Sequence, residues 1–355
     1  METILWITLS LLPQVGARAL IKLLQKYQTP ENILQNREFL PEKARCYLEN
    51  SELKKKVEQH LAWLEKTNNG LITLADADYP TALLETHSPP VILFYKGNRQ
   101  QLSYPQLAMV GTRHPSHDGK KTAYTFAKTL ADHQVSIISG LANGIDTAAH
   151  QGALCGAAKT IAVVATGLDR VYPSGNHALA HQIAQEGLLL SEFPLGTPAL
   201  PQRFPQRNRI ISGLSKGCLV VEASLNSGSL ITARLAAEEG RDVFAVPGSI
   251  YAEQSRGCHR LLREGAMLVE TVEDILSTWH VSMPVLTPVD NSTTWTQLPK
   301  EAQALMQHMT SAPIAFDVLC QQLNLTAETL SAMLLTLELD GHVAALPGGF
   351  YQRRS

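Results

Sequence analysis

Six short, almost uninterrupted apolar runs constrain this chain more than any other feature: Leu107–Val110, Val135–Ile138, Thr160–Ala165, Leu188–Leu190, Cys218–Val221 and Val243–Val246. Helix-length segments separate most of them, at 118–133, 146–154, 176–186 and 229–239. A strand with one wet face alternates apolar and polar residues, whereas a strand without alternation is covered on both faces. Such strands in alternation with helices predict an α/β fold, a Rossmann-like, mostly parallel sheet with helices on both faces.

The flanks read differently. Residues 1–66 carry apolar residues at helical spacing, Leu20, Ile21, Leu23 and Leu24 and then Leu53, Val57, Leu61 and Leu64, punctuated by Pro13, Pro30 and Pro41. They predict an N-terminal helical domain, SAM-like or helix-hairpin-helix-like, in which Leu11-Leu12-Pro13-Gln14-Val15-Gly16 is the hairpin candidate. Packing or partner contact is the plainer use of such a bundle. A Pro-rich connection with short apolar runs at Leu71–Leu74 and Val91–Tyr95 opens the extended Rossmann-like domain, 67–280, which closes with helices over 256–280. Residues 281–294 have linker composition. Residues 295–355 read as three helices, at 300–310, 314–322 and 327–340, and a β ribbon turning at Pro347-Gly348-Gly349, the pattern of a C-terminal winged helix.

Charge narrows the function. Lys plus Arg number 30 against 32 Asp plus Glu, which excludes a generally cationic coat but leaves room for a local basic groove. The last 75 residues hold 3 basic and 6 acidic side chains, and the segment 327–340 has no Lys or Arg. Gripping a phosphate backbone needs cations. A protein-contact or weak accessory role is therefore expected for the winged helix, not duplex binding. The five cysteines (Cys46, Cys155, Cys218, Cys258, Cys320) never fall in C-x-x-C spacing, which fits a reducing compartment and argues against zinc or a disulfide framework. The apolar run Ile4 to Leu12 lacks a basic flank and a small-residue cleavage site, so it reads as a buried helix. No 18-residue apolar stretch is present to span a membrane, and a cytoplasmic location is expected.

The candidate chemistry lies where strands end. The first run leads into Gly111-Thr112-Arg113, with a helix starting near Ser116. A dinucleotide turn would place a second glycine there; Arg113 stands instead, able to grip a phosphate through its guanidinium fork. No G-x-x-x-x-G-K-[ST] loop occurs. NAD, FAD and ATP are therefore disfavoured and no cofactor is expected. The second run leads into Ser139-Gly140-Leu141-Ala142-Asn143-Gly144-Ile145-Asp146, where two glycines and an Asp cap predict free N–H groups and an anion site. The fifth leads towards Ser227-Gly228-Ser229 at another helix start. Between them, Arg203, Phe204, Arg207, Asn208 and Arg209 concentrate cations, an amide and an aromatic ring. In a parallel sheet these turns share the carboxyl edge, so Arg113, Arg207 and Arg209 are expected to line one groove suited to a polyanion or one large nucleotide.

Taken together, Val110-Gly111-Thr112-Arg113-x-Pro115-Ser116, Ser139-Gly140-Leu141-Ala142-x-Gly144-Ile145-Asp146-x-Ala148-Ala149-His150, Gly167-Leu168-Asp169-x-x-Tyr172-Pro173, Phe204-Pro205-x-Arg207-Asn208-Arg209-Ile210-Ile211, Ser227-Gly228-Ser229-Leu230-Ile231-Thr232-Ala233 and Pro247-Gly248 resemble the DprA/Smf family of DNA-processing proteins. The match is dense over roughly residues 75–280. The resemblance implies a single-stranded DNA-binding protein of natural transformation that shields the incoming strand, helps load the RecA recombinase and acts as a homodimer. It also implies that Arg113 grips phosphate, with Arg207–Arg209 as a second segment. Two positions depart from the family pattern: Asn143 stands where an Arg is usual, and Ser174 where some members carry Lys.

Blander roles stand beside these. Arg113 can cap a helix or pair with Asp118, and Arg207 or Arg209 can form an internal salt bridge. Asp146 and His150, one helical turn apart, imitate a metal or acid/base pair but lack a third ligand in sequence, so structural roles are expected. Glu222 is expected to accept neighbouring N–H groups, Cys258-His259 to be buried structure, and Phe204 to stack on a base or fill the core. No catalytic or metal residue is assigned. The rival function is a nucleotide phosphoribohydrolase of the lysine-decarboxylase-like family, whose Pro-Gly-Gly-x-Gly-Thr string is missing here. A purely structural adaptor is a third reading, opposed by the Arg cluster at the strand ends.

Overall fold

The computed structural model describes residues 2–279, 300–309, 314–323, 325–340, 342–346 and 349–353. The linker expected at 281–294 and Pro347-Gly348 of the expected ribbon turn lie outside the described residues. Contacts divide the chain into two units, Met1–Ser282 and Met283–Ser355.

The first unit opens with five helices, α1 (Glu2–Ser10), α2 (Ala17–Tyr27), α3 (Pro30–Gln35), α4 (Glu42–Leu48) and α5 (Ser51–Leu64). The chain then alternates through β1 (Asn69–Thr73), α6 (Thr81–Leu84), β2 (Ile92–Gly97), β3 (Gln106–Val110), α7 (His117–Asp132), β4 (Ser136–Ser139), α8 (Ile145–Cys155) and β5 (Thr160–Val163). It continues through α9 (His177–Glu186), β6 (Leu188–Ser191), α10 (Arg203–Leu214), β7 (Gly217–Val220), α11 (Ser229–Glu238), β8 (Asp242–Ala245), α12 (Arg256–Arg263), β9 (Met267–Leu268) and α13 (Val272–Thr278).

The strands form one nine-stranded sheet in the order β1-β2-β6-β5-β4-β3-β7-β8-β9. From β6 to β9 all neighbours are parallel, while β1 and β2 add an antiparallel edge. The two apolar runs in the Pro-rich connection are thus strands of the same sheet. Every residue of β3 to β7 in this sheet is buried, because helices cover both faces. Leu107 and Met109 of β3 point towards α7 and α8, while Ala108 and Val110 point into the core shared with α10 and α11. Trp6, Leu9, Leu20, Ile33 and Trp63 of the N-terminal helices join Phe94, Leu154 and Val164 in one continuous cluster. His60 fastens this junction by accepting the Leu195 N–H at 3.0 Å.

Chain order fixes where a ligand can enter. From β3 the chain winds through β4, β5 and β6 on one side, then returns to place β7, β8 and β9 on the other. The β3/β7 boundary is therefore the topological switch point, where the two following turns diverge and leave a crevice beyond the strand ends.

The second unit packs α14 (Lys300–His308), α15 (Phe316–Leu323) and α16 (Ala327–Leu339) with a three-stranded sheet of β10 (Ile314–Ala315), β12 (Phe350–Arg353) and β11 (Val343–Leu346), in that spatial order. Leu305, Leu319, Leu330, Leu334, Leu337 and Val343 form its core. Three helices with a β wing make it a winged helix. No helix among the described residues is long and apolar enough to cross a membrane.

Candidate functional site

A cavity of 530 Å³ opens at the switch point. Gly111, Thr112, Arg113 and His114 after β3 form one wall, Ser227, Gly228 and Ser229 at the start of α11 another, and Phe204, Arg207 and Asn208 of α10 a third. Nine of the fourteen residues expected to bind are thereby brought together. Ser139, Gly140, Asn143, Arg203 and Arg209 do not line it.

The β3 turn is held open by Glu222. Its carboxylate accepts the Ser116 N–H at 2.9 Å and the Ser116 hydroxyl at 2.5 Å, while its carbonyl accepts Thr112 N–H at 2.7 Å. Ser116 in turn caps α7 by accepting Gly119 N–H. A Cβ on Gly119 would lie 2.3 Å from the Glu222 carboxyl carbon, which explains the glycine. Glu222 thus has the hydrogen-bonding role expected of it, and Arg113 is left exposed at the rim with no ion pair to Asp118. Its guanidinium lies 5.8 Å from the Phe204 ring centroid, and that ring faces Tyr172 at 5.7 Å.

The β4 turn corrects the expectation of an anion site. Its N–H groups are not free: Asp146 accepts those of Gly140 at 3.1 Å and Ala142 at 3.3 Å, and His150 Nε2 accepts that of Leu141 at 3.3 Å. The chain's own carboxylate sits where a phosphate would. Asp146 does not cap its own helix; it reaches back, and Gly144, at φ 86°, is the N-cap. A Cβ on Gly144 would meet the Thr112 carbonyl oxygen at 2.4 Å, so this glycine allows the β3 and β4 turns to touch. Ser139 is fully buried and donates to the Met109 carbonyl. Asn143 is exposed but away from the cavity.

Burial holds the His150 pKa down at about 3, so the imidazole is neutral. With Nε2 accepting, Nδ1–H donates to Thr160 Oγ1 at 2.7 Å, and the Thr160 hydroxyl in turn donates to the Ile137 carbonyl at 2.6 Å. Asp146 is pushed up by burial and pulled back by the Arg207 charge and its two N–H donors. Asp146 and His150 are a structural pair. Of the Cys258-His259 pair, Cys258 has the buried role expected of it, its thiol lying against the Val220 carbonyl with its pKa pushed up to about 12 by burial, whereas His259 is only half-buried, its Nε2 3.0 Å from the Gly248 carbonyl.

The arginines of α10 divide by helical geometry. Residues 204, 207, 208 and 211 share one face, and a residue two positions on from 207 points roughly 200° away. Arg207 lies at the floor of the groove, only 4% exposed, and donates to the carbonyls of Gly140 and Val163. A Cβ on Gly140 would lie 2.2 Å from its Nη1, so the glycine makes room for the guanidinium. Burial lowers its pKa to about 10, leaving it charged at neutral pH, and its Nε–H has no acceptor among the described residues. Arg209 points the other way. It donates to both carboxylate oxygens of Glu192 and to the Ser88 carbonyl, beside a separate cavity of 790 Å³. Arg203 folds onto the Pro198 carbonyl at 2.6 Å and the Phe193 ring. The expectation that Arg113, Arg207 and Arg209 line one groove as free cations is therefore corrected. Among the described residues one has no ion pair, one is a buried strut whose Nε–H lacks an acceptor, and one is an internal ion pair.

Two contributors were not among the expected site residues. Tyr172, 47% exposed, forms the aromatic rim with Phe204; its signal was the Tyr172-Pro173 motif. Asn176 donates to Leu141 O and Thr147 Oγ1, both at 2.9 Å, and so helps lock the β4 turn.

The fold is Rossmann-like, with a cation and two aromatic rings at a switch-point crevice. The family model for DNA recombination-mediator protein A matches residues 70–280, and that for the DprA winged helix domain matches residues 292–349. The chain belongs to this DprA/Smf family. It is 40% identical over 306 residues to Protein Smf of Escherichia coli K12, covering 85% of this chain and 82% of that one. It is 49% identical over 205 residues to the DNA processing protein DprA of Streptococcus pneumoniae, covering 58% and 72%. Among solved structures, the Streptococcus pneumoniae DprA aligns with a TM-score of 0.64 at 39% identity, covering 78% of this chain and 97% of that one. A Helicobacter pylori DprA structure, described for its single-stranded DNA binding mode, aligns with a TM-score of 0.55 at 33% identity, covering 59% and 95%.

Proposed function

We propose that the groove binds single-stranded DNA through its backbone and exposed bases, with little sequence preference and no chemical step. The observation that carries this reading is Arg113, exposed and without an ion pair among the described residues, beside the Tyr172–Phe204 rings at the rim of the groove. A guanidinium suits a phosphate, and aromatic faces suit unstacked bases of any identity, which a duplex does not offer. Thr112, Asn208, Ser227 and Ser229 add hydroxyls and an amide along the walls. The Helicobacter pylori relative, described as binding single-stranded DNA, supports the same class of ligand.

One cation without an ion pair among the described residues of each groove gives modest affinity, so the reading includes a homodimer, in which two grooves on one strand multiply affinity by avidity. In the role that family membership suggests, the protein acts in the cytoplasm during natural transformation. There it shields the incoming strand and helps load the RecA recombinase. The test is a gel shift of the purified protein with matched single- and double-stranded oligonucleotides over a salt series. Preference for the single strand, weakening with salt, is expected; equal or duplex-preferring binding overturns the reading. Release of free base from nucleoside monophosphates would instead establish a phosphoribohydrolase.

A further inference from the structure

Helix α9 begins five residues beyond the groove residue Tyr172, after a short turn at Ser174–Asn176. That turn is anchored, because Asn176 is buried and bonded to Leu141 and Thr147. His177 and His181 stand one helical turn apart on the helix and are both exposed. Their rings face each other with centroids 4.5 Å apart and planes at 44°. Among the described residues neither imidazole has a hydrogen bond or an ion pair; each has the other as its ring neighbour. Positions i and i+4 place side chains on one face, one above the other, which is the spacing with which paired histidines on a helix chelate a metal ion.

The dimensions agree. Two imidazoles on one ion, each at a metal–nitrogen distance of ~2.1 Å, hold their centroids roughly 4.6 Å apart at a right angle and roughly 5.3 Å at a tetrahedral one. Among the described residues no group of three or more His, Cys, Asp or Glu is placed to hold a metal. The pair therefore supplies two ligands and leaves the remaining positions to water or another ligand. Imidazole selects borderline ions over calcium or magnesium, which take oxygen donors.

We infer that His177 and His181 form a two-histidine site for a borderline divalent transition metal, open to further ligands, outside the DNA groove. Bound metal would clamp the first turn of α9 and, through Asn176, stiffen the adjoining β4 turn. The inference does not depend on what the groove binds.

The test is calorimetric titration of the full chain, stripped with EDTA and dialysed, with copper, nickel and zinc salts. It compares the wild type with His177→Ala, His181→Ala and the double variant. One saturable site per chain is expected, tightest for copper, as the usual order of divalent affinities dictates. Either single variant should weaken that site by about tenfold or more, since chelation needs both rings. Copper spectra should show two nitrogen ligands in the wild type and lose one in each single variant. Both side chains are exposed, so all variants should melt with the wild type in EDTA. Affinity unchanged in either single variant, or no saturable site in the wild type, overturns the inference.

Discussion

The turns after β3 and β4 are built to the same plan, strand then glycine then helix, and end with opposite roles. After β4 every N–H from Gly140 to Ala142 is taken by Asp146 or His150, and Arg207 closes the carbonyl side. After β3 the clamp is Glu222, and it grips Thr112 and Ser116 but leaves Arg113 outside the network. One turn is a sealed support, the other the exposed edge that it supports. A glycine-rich strand-to-helix turn is therefore an anion site only if the chain has not already supplied the anion. Here it has supplied one in Asp146.

This contrast can be broken from the sealed side. Asp146→Ala should have the largest effect, destabilising the fold by about 3–5 kcal/mol, because it strips the buried Gly140 N–H and the partly buried Ala142 N–H of their acceptor and leaves the Arg207 charge uncompensated. Thermal or urea unfolding measures this. If the carboxylate does stand in for a phosphate, millimolar sulfate should restore part of the variant's stability while leaving the wild type nearly unchanged. Arg113→Ala should leave the melting temperature alone. It should weaken single-strand binding by about 2 kcal/mol for all sequences and reduce the salt slope by ~0.7. A variant with wild-type affinity and slope would remove the exposed turn from the interface.

Acid probes the sealed turn more gently. The folded pKa of His150, about 3, lies below its unfolded value of 6.5, so the unfolded state binds one more proton between those limits. That contribution is complete above pH 6.5 and falls by about 1.4 kcal/mol per unit as pH drops towards 3. Asp146, whose pKa is raised by burial, acts in the opposite sense. The His150 share is therefore read as the difference in slope between wild type and His150→Gln in urea unfolding across that range. Tyr172→Ala should have the smallest effect, about 1 kcal/mol of single-strand affinity with the salt slope unchanged, because stacking releases no counterions. An oligonucleotide of abasic sites should not distinguish it from the wild type.

Two structures within the site show what could and could not be read in advance. The parallel sheet was legible because burial on both faces leaves uninterrupted apolar runs, and β3, β4, β5 and β7 fall on those runs. The glycines were legible as turns, and Arg113 as a cation displacing a dinucleotide loop. The string Arg207-Asn208-Arg209 was read as one basic cluster because few apolar residues mark 203–209 as helical. Once it is a helix, residues two apart face opposite ways, and the cluster separates into a groove floor and an ion pair with Glu192. Asp146 was legible as an acid near a turn, but its partners six and four residues upstream depend on how the chain folds back.

Local pattern thus determined the fold class, most of the alternation of parallel strands and helices, and the strand edge where the candidate groove lies, because burial and backbone conformation act over a few residues. Which charges remain free at that edge was decided only by tertiary structure. A guanidinium or an N–H is open to a ligand only when no distant carboxylate or carbonyl reaches it first. Glu222, Glu192 and Asp146 reach their partners across 106, 17 and 6 residues of chain.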